Sequence, residues 1–211
     1  MPSVVRFEAW SDYLCPWCWN ASRRLEAIAG EFAGQIDIVW RSYLLRPEAK
    51  TGRDPEKFRR YTEGWRVPGA EPDAGPFRPW ASDAPPPSHS VPAHRAAKAA
   101  AELGGEAFEA IHDRLMTAYF AENRDVSNFD VLRAVWNEAG LPDASFEVAH
   151  EERIERAVLA DHAAAGDLGA TGVPAIRRID NDALIVGAQP IDVYRRWVER
   201  SLERGEGLVE V

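Results

Sequence analysis

The stretch SDYLCPWCWNASRRLEAI, residues 11–28, contains both cysteines of the chain, Cys15 and Cys18, between an apolar run and a helical pattern. Just upstream, residues 4–10 (VVRFEAW) are rich in β-branched and aromatic side chains over the length of a buried strand. Pro16 stands where a helix can begin, because its fixed φ suits the first turn and its missing N–H is no loss there. Trp17, Ala21, Leu25, Ile28 and Phe32 then recur at three- and four-residue steps, the period of a helix with one buried face, and Gly34 closes it. Residues 36–44 (IDIVWRSYL) read as a second strand, and a strand–helix–strand unit of this size predicts a parallel pair.

A thiol at the start of a helix meets unpaired backbone N–H groups and the positive end of the helix dipole. Both favour sulfur in its anionic, reactive form. Cys15 is therefore a candidate nucleophile. Cys18 lies one turn later on the same face, within about 5–6 Å and bridging reach, and suits a resolving thiol. Two other readings compete with redox chemistry: half of a zinc site, and two inert core thiols. His89 and His94 are spaced like one half of a zinc finger but lie about 70 residues from the cysteines. With no second cysteine pair to close a tetrahedral site, no metal is expected. Packing gives little reason for a proline inside a CxxC directly after a strand, so redox chemistry leads.

Ten of the fifteen prolines fall between residues 46 and 92, where the pattern breaks up around a short helix at 55–65. Helical patterns follow at Val91–Leu103, at Glu106–Phe120 with Phe108, Ile111, Leu115 and Tyr119 on one face, in a segment capped by Ser127 and ending at Gly140, and in one capped by Ser145 running to about Ala165. GVPAIRRID and ALIVGA, separated at Asn181-Asp182, read as a hairpin, and Ile191–Leu202 as a final helix carrying Tyr194, Trp197, Val198 and Leu202. The expected organisation is one discontinuous α/β domain, residues 1–45 and 168–211, with an inserted helical domain, residues 46–167. In ATGVPAI, Pro174 cannot serve a central ladder and belongs at a strand start; a cis Val173–Pro174 bond costs about 0.5–1 kcal/mol and would present the Val173 backbone to an extended substrate.

A formal net charge of −9 disfavours wholesale binding to nucleic acid or an anionic membrane. No run of about 18 apolar residues is present to span a bilayer. The opening MPSVVRFEAW lacks a basic stretch followed by a long apolar segment, so the expected address is the cytoplasm, where a lone cysteine pair is more often catalytic than structural. The expected partner is a small-molecule or protein disulfide, met by a monomer or homodimer. Among the eight tryptophans, Trp17 is a candidate apolar rim for substrate and Trp19 reads as core. His94 is a candidate for the cleft, where an imidazolium would stabilise the thiolate. Eight basic and four acidic residues between Arg41 and Arg66 give a local +4, read first as a solvated helical face and second as an attractor of anions.

SDYLCPWCW, the Ser90–Lys98 segment with Ala93-His94-Arg95, LMTAYFAENRDVSN, GVPAI and VGAQP together resemble the DsbA-like family of thioredoxin-fold proteins, and specifically its cytoplasmic FrnE-like branch. The resemblance spans nearly the whole chain in family order. It implies a thioredoxin-like α/β fold with a large helical insertion, Cys15 as attacking thiolate, Cys18 as resolving thiol, and a cis-Pro174 facing them. Pro16, Trp17, Val173, Pro174 and His94 are then the expected substrate-binding residues. The expected activity is cytoplasmic thiol:disulfide exchange with no cofactor, and a low-molecular-weight thiol such as mycothiol or glutathione is the expected co-substrate. The alternative is a thiol-cofactor isomerase or transferase like the related 2-hydroxychromene-2-carboxylate isomerases and kappa-class glutathione transferases, which typically have serine where Cys15 stands. One position departs from the family: a buried acid six residues before the first cysteine is replaced by Ala9. Glu8 is expected on the opposite strand face, and Asp12 is the nearest acid, either for proton transfer or as a loop residue.

Overall fold

The computed structural model describes residues 4–206; residues 1–3 and 207–211, the outer ends of the expected α/β domain, lie outside the described part. Strand β1 (Val5–Ser11) leads into helix α1 (Pro16–Glu31) and strand β2 (Ile36–Ser42). Helices α2 (Pro55–Thr62), α3 (Val91–Ala101), α4 (Gly105–Phe120), α5 (Phe129–Glu138) and α6 (Glu152–Asp167) follow. Strands β3 (Ala175–Arg178) and β4 (Leu184–Val186) and helix α7 (Ile191–Glu206) complete the chain.

The sheet order is β2-β1-β3-β4, with β1 and β2 parallel and the other two pairs antiparallel. Side chains alternate across β1. Phe7 and Ala9 face α1 and α7, packing with Leu25, Ile28, Tyr194 and Val198, while Trp10 faces the opposite side with Ala165 of α6. This second layer comes from within residues 46–167, the segment that reads as insertion. Trp10 Nε1 donates to the Asp161 carbonyl at 2.9 Å, and the Asp161 carboxylate accepts from Ser42 N at 3.0 Å and pairs with Arg41 and Lys98. One buried acid thus ties β2, α3 and α6 together.

The remaining helices share a core with the Cys15 loop and the start of α1, in which Ile111, Leu115, Phe120, Leu132 and Trp136 are buried together with Cys18 and Trp19. Two sequence expectations are corrected here. Asn128, and not Ser127, caps α5, its side-chain oxygen accepting from Asp130 N at 2.8 Å, while the Ser127 hydroxyl donates to Asp125. The single helix expected from Ser145 to Ala165 is two elements, a 3-10 segment at Asp143–His150 and then α6, because Glu151 adopts an extended conformation between them.

Trp19 is buried where α1 meets the insertion, its ring 4.7 Å from that of Phe77 and 5.7 Å from that of Phe120. Gly75 lies so close that an added Cβ would fall 2.5 Å from the indole. Gly75→Ala is expected to destabilise the protein by about 1–3 kcal/mol through overpacking. Urea unfolding would check this, and an unchanged midpoint would show that Trp19 has room to move.

Candidate active site

Cys15 is the N-cap of α1, with extended backbone angles (φ −100, ψ 112) and Pro16 in the first helical position. Its sulfur accepts a hydrogen bond from the Cys18 N–H at 3.3 Å, the place a serine or aspartate oxygen takes in an ordinary cap. The Val173–Pro174 bond is cis, and the Val173 carbonyl lies 3.6 Å from the Cys15 sulfur, close enough to accept its S–H. The hairpin end thereby closes over the helix start. Both cysteines are free thiols. They differ in environment: Cys15 is 5% exposed and Cys18 has no exposure at all. Burial, together with the hydrogen bond and charge of Cys15, pushes the Cys18 thiol well above the usual cysteine range, while the Asp12 backbone and the Ser11 hydroxyl beside it pull the other way. Pro16 is partly buried, and Trp17, 36% exposed, stands at the surface next to the dithiol.

Glu8 lies on the α6 side of β1, bound to Arg41 at 2.7 Å and Arg177 at 3.3 Å, and Ala9 faces the α1 side. Asp12 is fully buried and works as a latch. Its Oδ1 accepts from Leu14 N at 2.6 Å, and its Oδ2 from Leu45 N at 2.6 Å and the Ser90 hydroxyl at 2.7 Å. These bonds join the Cys15 loop to the exit of β2 and the start of α3. The carboxylate makes no hydrogen bond to either sulfur, which favours the loop reading of this residue.

A second polar chain holds the same loop. Burial keeps the Tyr13 phenol protonated and the His112 imidazole neutral, the latter pushed down to about 3. Tyr13 O–H then donates to His112 Nδ1 at 2.8 Å, His112 Nε2–H donates to Ser22 Oγ at 2.7 Å, and the Ser22 hydroxyl reaches Glu26 at 3.2 Å. Neither Tyr13 nor His112 stood out as functional in the sequence. The available signal was a histidine four residues after Phe108 and three before Leu115, inside an apolar helical stripe.

His94 corrects an expectation. It is 4% exposed, 4.8 Å from the Tyr13 ring, and burial with the nearby Lys98 charge lowers it to about 3, so it is a neutral imidazole and not an imidazolium facing the thiolate. The reason is that α3 is buried along almost its whole length, which walls its histidine in. Of the basic residues between Arg41 and Arg66, Arg46, Lys50, Arg53 and Lys57 line a shallow surface hollow. Among the described residues, no cluster of three or more histidine, cysteine or acidic side chains is arranged to hold a metal, and no helix is long and apolar enough to cross a membrane.

The family model of the DSBA-like thioredoxin domain matches residues 6–199, and the chain belongs to that family. Its fold is the thioredoxin-like fold of the family, with helices between the parallel pair and the hairpin. Three solved structures illustrate the likeness. A candidate protein disulfide isomerase from Nitrosomonas europaea superposes with a TM-score of 0.82 at 19% identity, covering 96% of this chain and 99% of that one. A probable DsbA oxidoreductase from Streptomyces coelicolor is 26% identical, with a TM-score of 0.73 over 98% of this chain and 92% of that one. The cytosolic disulfide reductase DsbM from Pseudomonas aeruginosa is 22% identical, with a TM-score of 0.71 over 95% and 100%; its structure with GSH matches with a TM-score of 0.72.

The latch has a pH signature. Burial raises the Asp12 carboxyl from 3.8 to about 6, against the opposing pull of its three hydrogen bonds and Arg46. The folded state therefore holds this proton more tightly than the unfolded state. The stability that goes with it is complete below pH 3.8 and is lost as pH rises through 6. Relative to Asp12→Asn, the wild-type stability is expected to fall by about 2 kcal/mol between pH 4 and pH 7. Urea unfolding of both proteins across this range measures it, and a difference that does not change with pH would contradict the assignment.

Proposed function

We propose that the protein is a cytoplasmic thiol:disulfide oxidoreductase acting on low-molecular-weight or protein disulfides. The observation that carries the reading is the asymmetry of the pair: a sulfur that caps a helix on a residue retaining 5% exposure, and a sulfur one turn deeper with none. The N–H bond received by Cys15 is worth more to an anion than to a neutral thiol, which suits it to attack. Cys18 is out of reach of a substrate in solution and is suited to act only once Cys15 carries one.

In the proposed reaction, the Cys15 thiolate attacks one sulfur of a substrate disulfide. A Cys15–substrate disulfide forms and the other substrate sulfur leaves as a thiolate, taking up a proton. Cys18 then loses its proton and attacks the Cys15 sulfur, releasing the second substrate thiolate. Two electrons pass to the substrate, and a Cys15–Cys18 disulfide is left on the protein. Two molecules of a low-molecular-weight thiol such as glutathione or mycothiol return it to the dithiol and leave joined as their own disulfide. The reductase name and GSH-bound structure of the Pseudomonas aeruginosa relative support this direction and this kind of co-substrate. The Val173 backbone and Pro174, close to the Cys15 sulfur, and exposed Trp17 beside it are the surfaces on which a substrate would lie. Isomerase chemistry on a bound thiol cofactor calls for one anion-stabilising position and has no use for the second thiol.

Exchange with glutathione disulfide separates the two roles. Cys15→Ser is expected to lower the reduction rate by about a thousandfold or more, a loss of the size expected when a nucleophile is removed. Cys18→Ser is expected to retain attack and to accumulate a Cys15–glutathione mixed disulfide, visible by intact-protein mass spectrometry. Wild-type turnover in both variants would refute the proposal.

A further inference from the structure

Strands β1 and β2 run parallel with Ser11 beside Ser42, so the chain leaves both at the same end of the sheet. Cys15 follows one exit and Arg46 the other. Asp12 joins them: its carbonyl accepts from the Cys15 N–H at 3.0 Å, and its carboxylate accepts from the Leu45 N–H at 2.6 Å. Arg46 comes directly after that held residue, and its charge reaches the Asp12 carboxyl.

Two adjoining shallow hollows at this exit, of about 290 and 490 Å³, share Arg46, Lys50 and Arg53 in their linings. Of the eight basic side chains between Arg41 and Arg66, five pair with carboxylates: Arg41, Lys57, Arg59, Arg60 and Arg66. Among the described residues, Arg46, Lys50 and Arg53 make no such pair, and these are the three that the hollows share. Arg53 is held in place all the same, its guanidinium 5.0 Å from the centre of the Phe58 ring and donating to the Pro87 carbonyl at 3.3 Å. Two acids line the same hollows. Asp54 is taken up in capping α2 and pairing with Lys57, and Glu48 is exposed. In a chain of net charge −9 this is a local reversal of sign, and it favours an anion. The volumes are those of a small-molecule site. One side chain, Asp12, bridges the two exits, and an extended tripeptide spans about 10 Å, so one small substrate can meet the Cys15 sulfur and the cations together.

We propose that Arg46, Lys50 and Arg53 hold the carboxylates of the substrate while its sulfur meets Cys15, so that the disulfide exchanged is that of a carboxylate-bearing peptide thiol of the glutathione kind and not of an uncharged thiol such as mycothiol. The inference rests on the exchange reading above and narrows its substrate class. The two arginines present planar forks of N–H donors that match a carboxylate, and Lys50 adds a point charge. None of the three gives or takes a proton or an electron; they act on encounter and binding.

Lys50 is exposed and makes no side-chain bond among the described residues, so Lys50→Glu reverses one charge without removing a contact. Selectivity is read as kcat/KM for glutathione disulfide divided by kcat/KM for the uncharged bis(2-hydroxyethyl) disulfide. Lys50→Glu is expected to lower this ratio about fivefold, the scale of turning one exposed attraction into a repulsion, and chiefly through KM. Salt is expected to lower the wild-type ratio as well. Arg200→Glu, the same charge change at an exposed position of α7, is expected to keep it. Binding is read separately by calorimetry with S-methylglutathione, whose blocked sulfur cannot exchange; Lys50→Glu is expected to weaken it about fivefold. A ratio unmoved by Lys50→Glu, an equal fall in Arg200→Glu, or S-methylglutathione binding that is absent at millimolar concentration or indifferent to Lys50→Glu would overturn the inference. A wild type inactive toward both disulfides would refute the exchange reading instead, and the S-methylglutathione titration then decides by itself whether the hollows take the anion.

Discussion

The hydrogen bond from the Cys18 N–H to the Cys15 sulfur, 3.3 Å long, is the interaction on which the site depends. A helix must satisfy the donors of its first turn, and here a sulfur takes the place of the usual capping oxygen. Pro16 contributes no N–H, so the first-turn donors come from residues further along, Cys18 among them. The same residue that carries the second thiol thus supplies the backbone donor to the first. Its N–H also lies 3.1 Å from the Cys15 carbonyl, which fixes the geometry of the turn.

That geometry is held from outside the motif. Asp12 binds the loop to Leu45 and Ser90, and Tyr13 binds it through His112 to Ser22 of α1, so both the insertion and the sheet grip the three residues before Cys15. Buried polar networks of this kind are costly when half satisfied and rigid when complete. The insertion is therefore more than an addition at one edge of the sheet: its helix α3 provides Ser90 at its start, and α4 provides His112. Rigidity here keeps the capping sulfur against its N–H donor.

Much of this was legible in the sequence, and the gaps have physical causes. The strand, the proline and the helical period of residues 4–34 placed Cys15 at a helix start, and the hairpin signal at Asn181-Asp182 located β3 and β4. The period also put Trp17 on the buried face with Ala21, Leu25 and Ile28. It is 36% exposed, while Cys18 and Trp19 in the same turn are buried against the helices that follow, so the first turn buries a different face. The break at Glu151 carries no proline or glycine to announce it. Asp12 and Ser90 are 78 positions apart, and nothing local in either segment points to the other. The state of His94 depended on what would cover an alanine-rich helix, which is a property of the packed fold and not of its own neighbours in sequence.

Two thiols one helical turn apart are chemically unequal: Cys15 caps the helix and keeps a small opening to solvent, and Cys18 is sealed beneath it. The most direct measurement is brief alkylation of the reduced native protein with iodoacetamide at neutral pH, with peptide mass spectrometry to locate the label. Label is expected on Cys15, with almost none on Cys18 until the protein is unfolded. Equal labelling of the two, or faster labelling of Cys18, would contradict it.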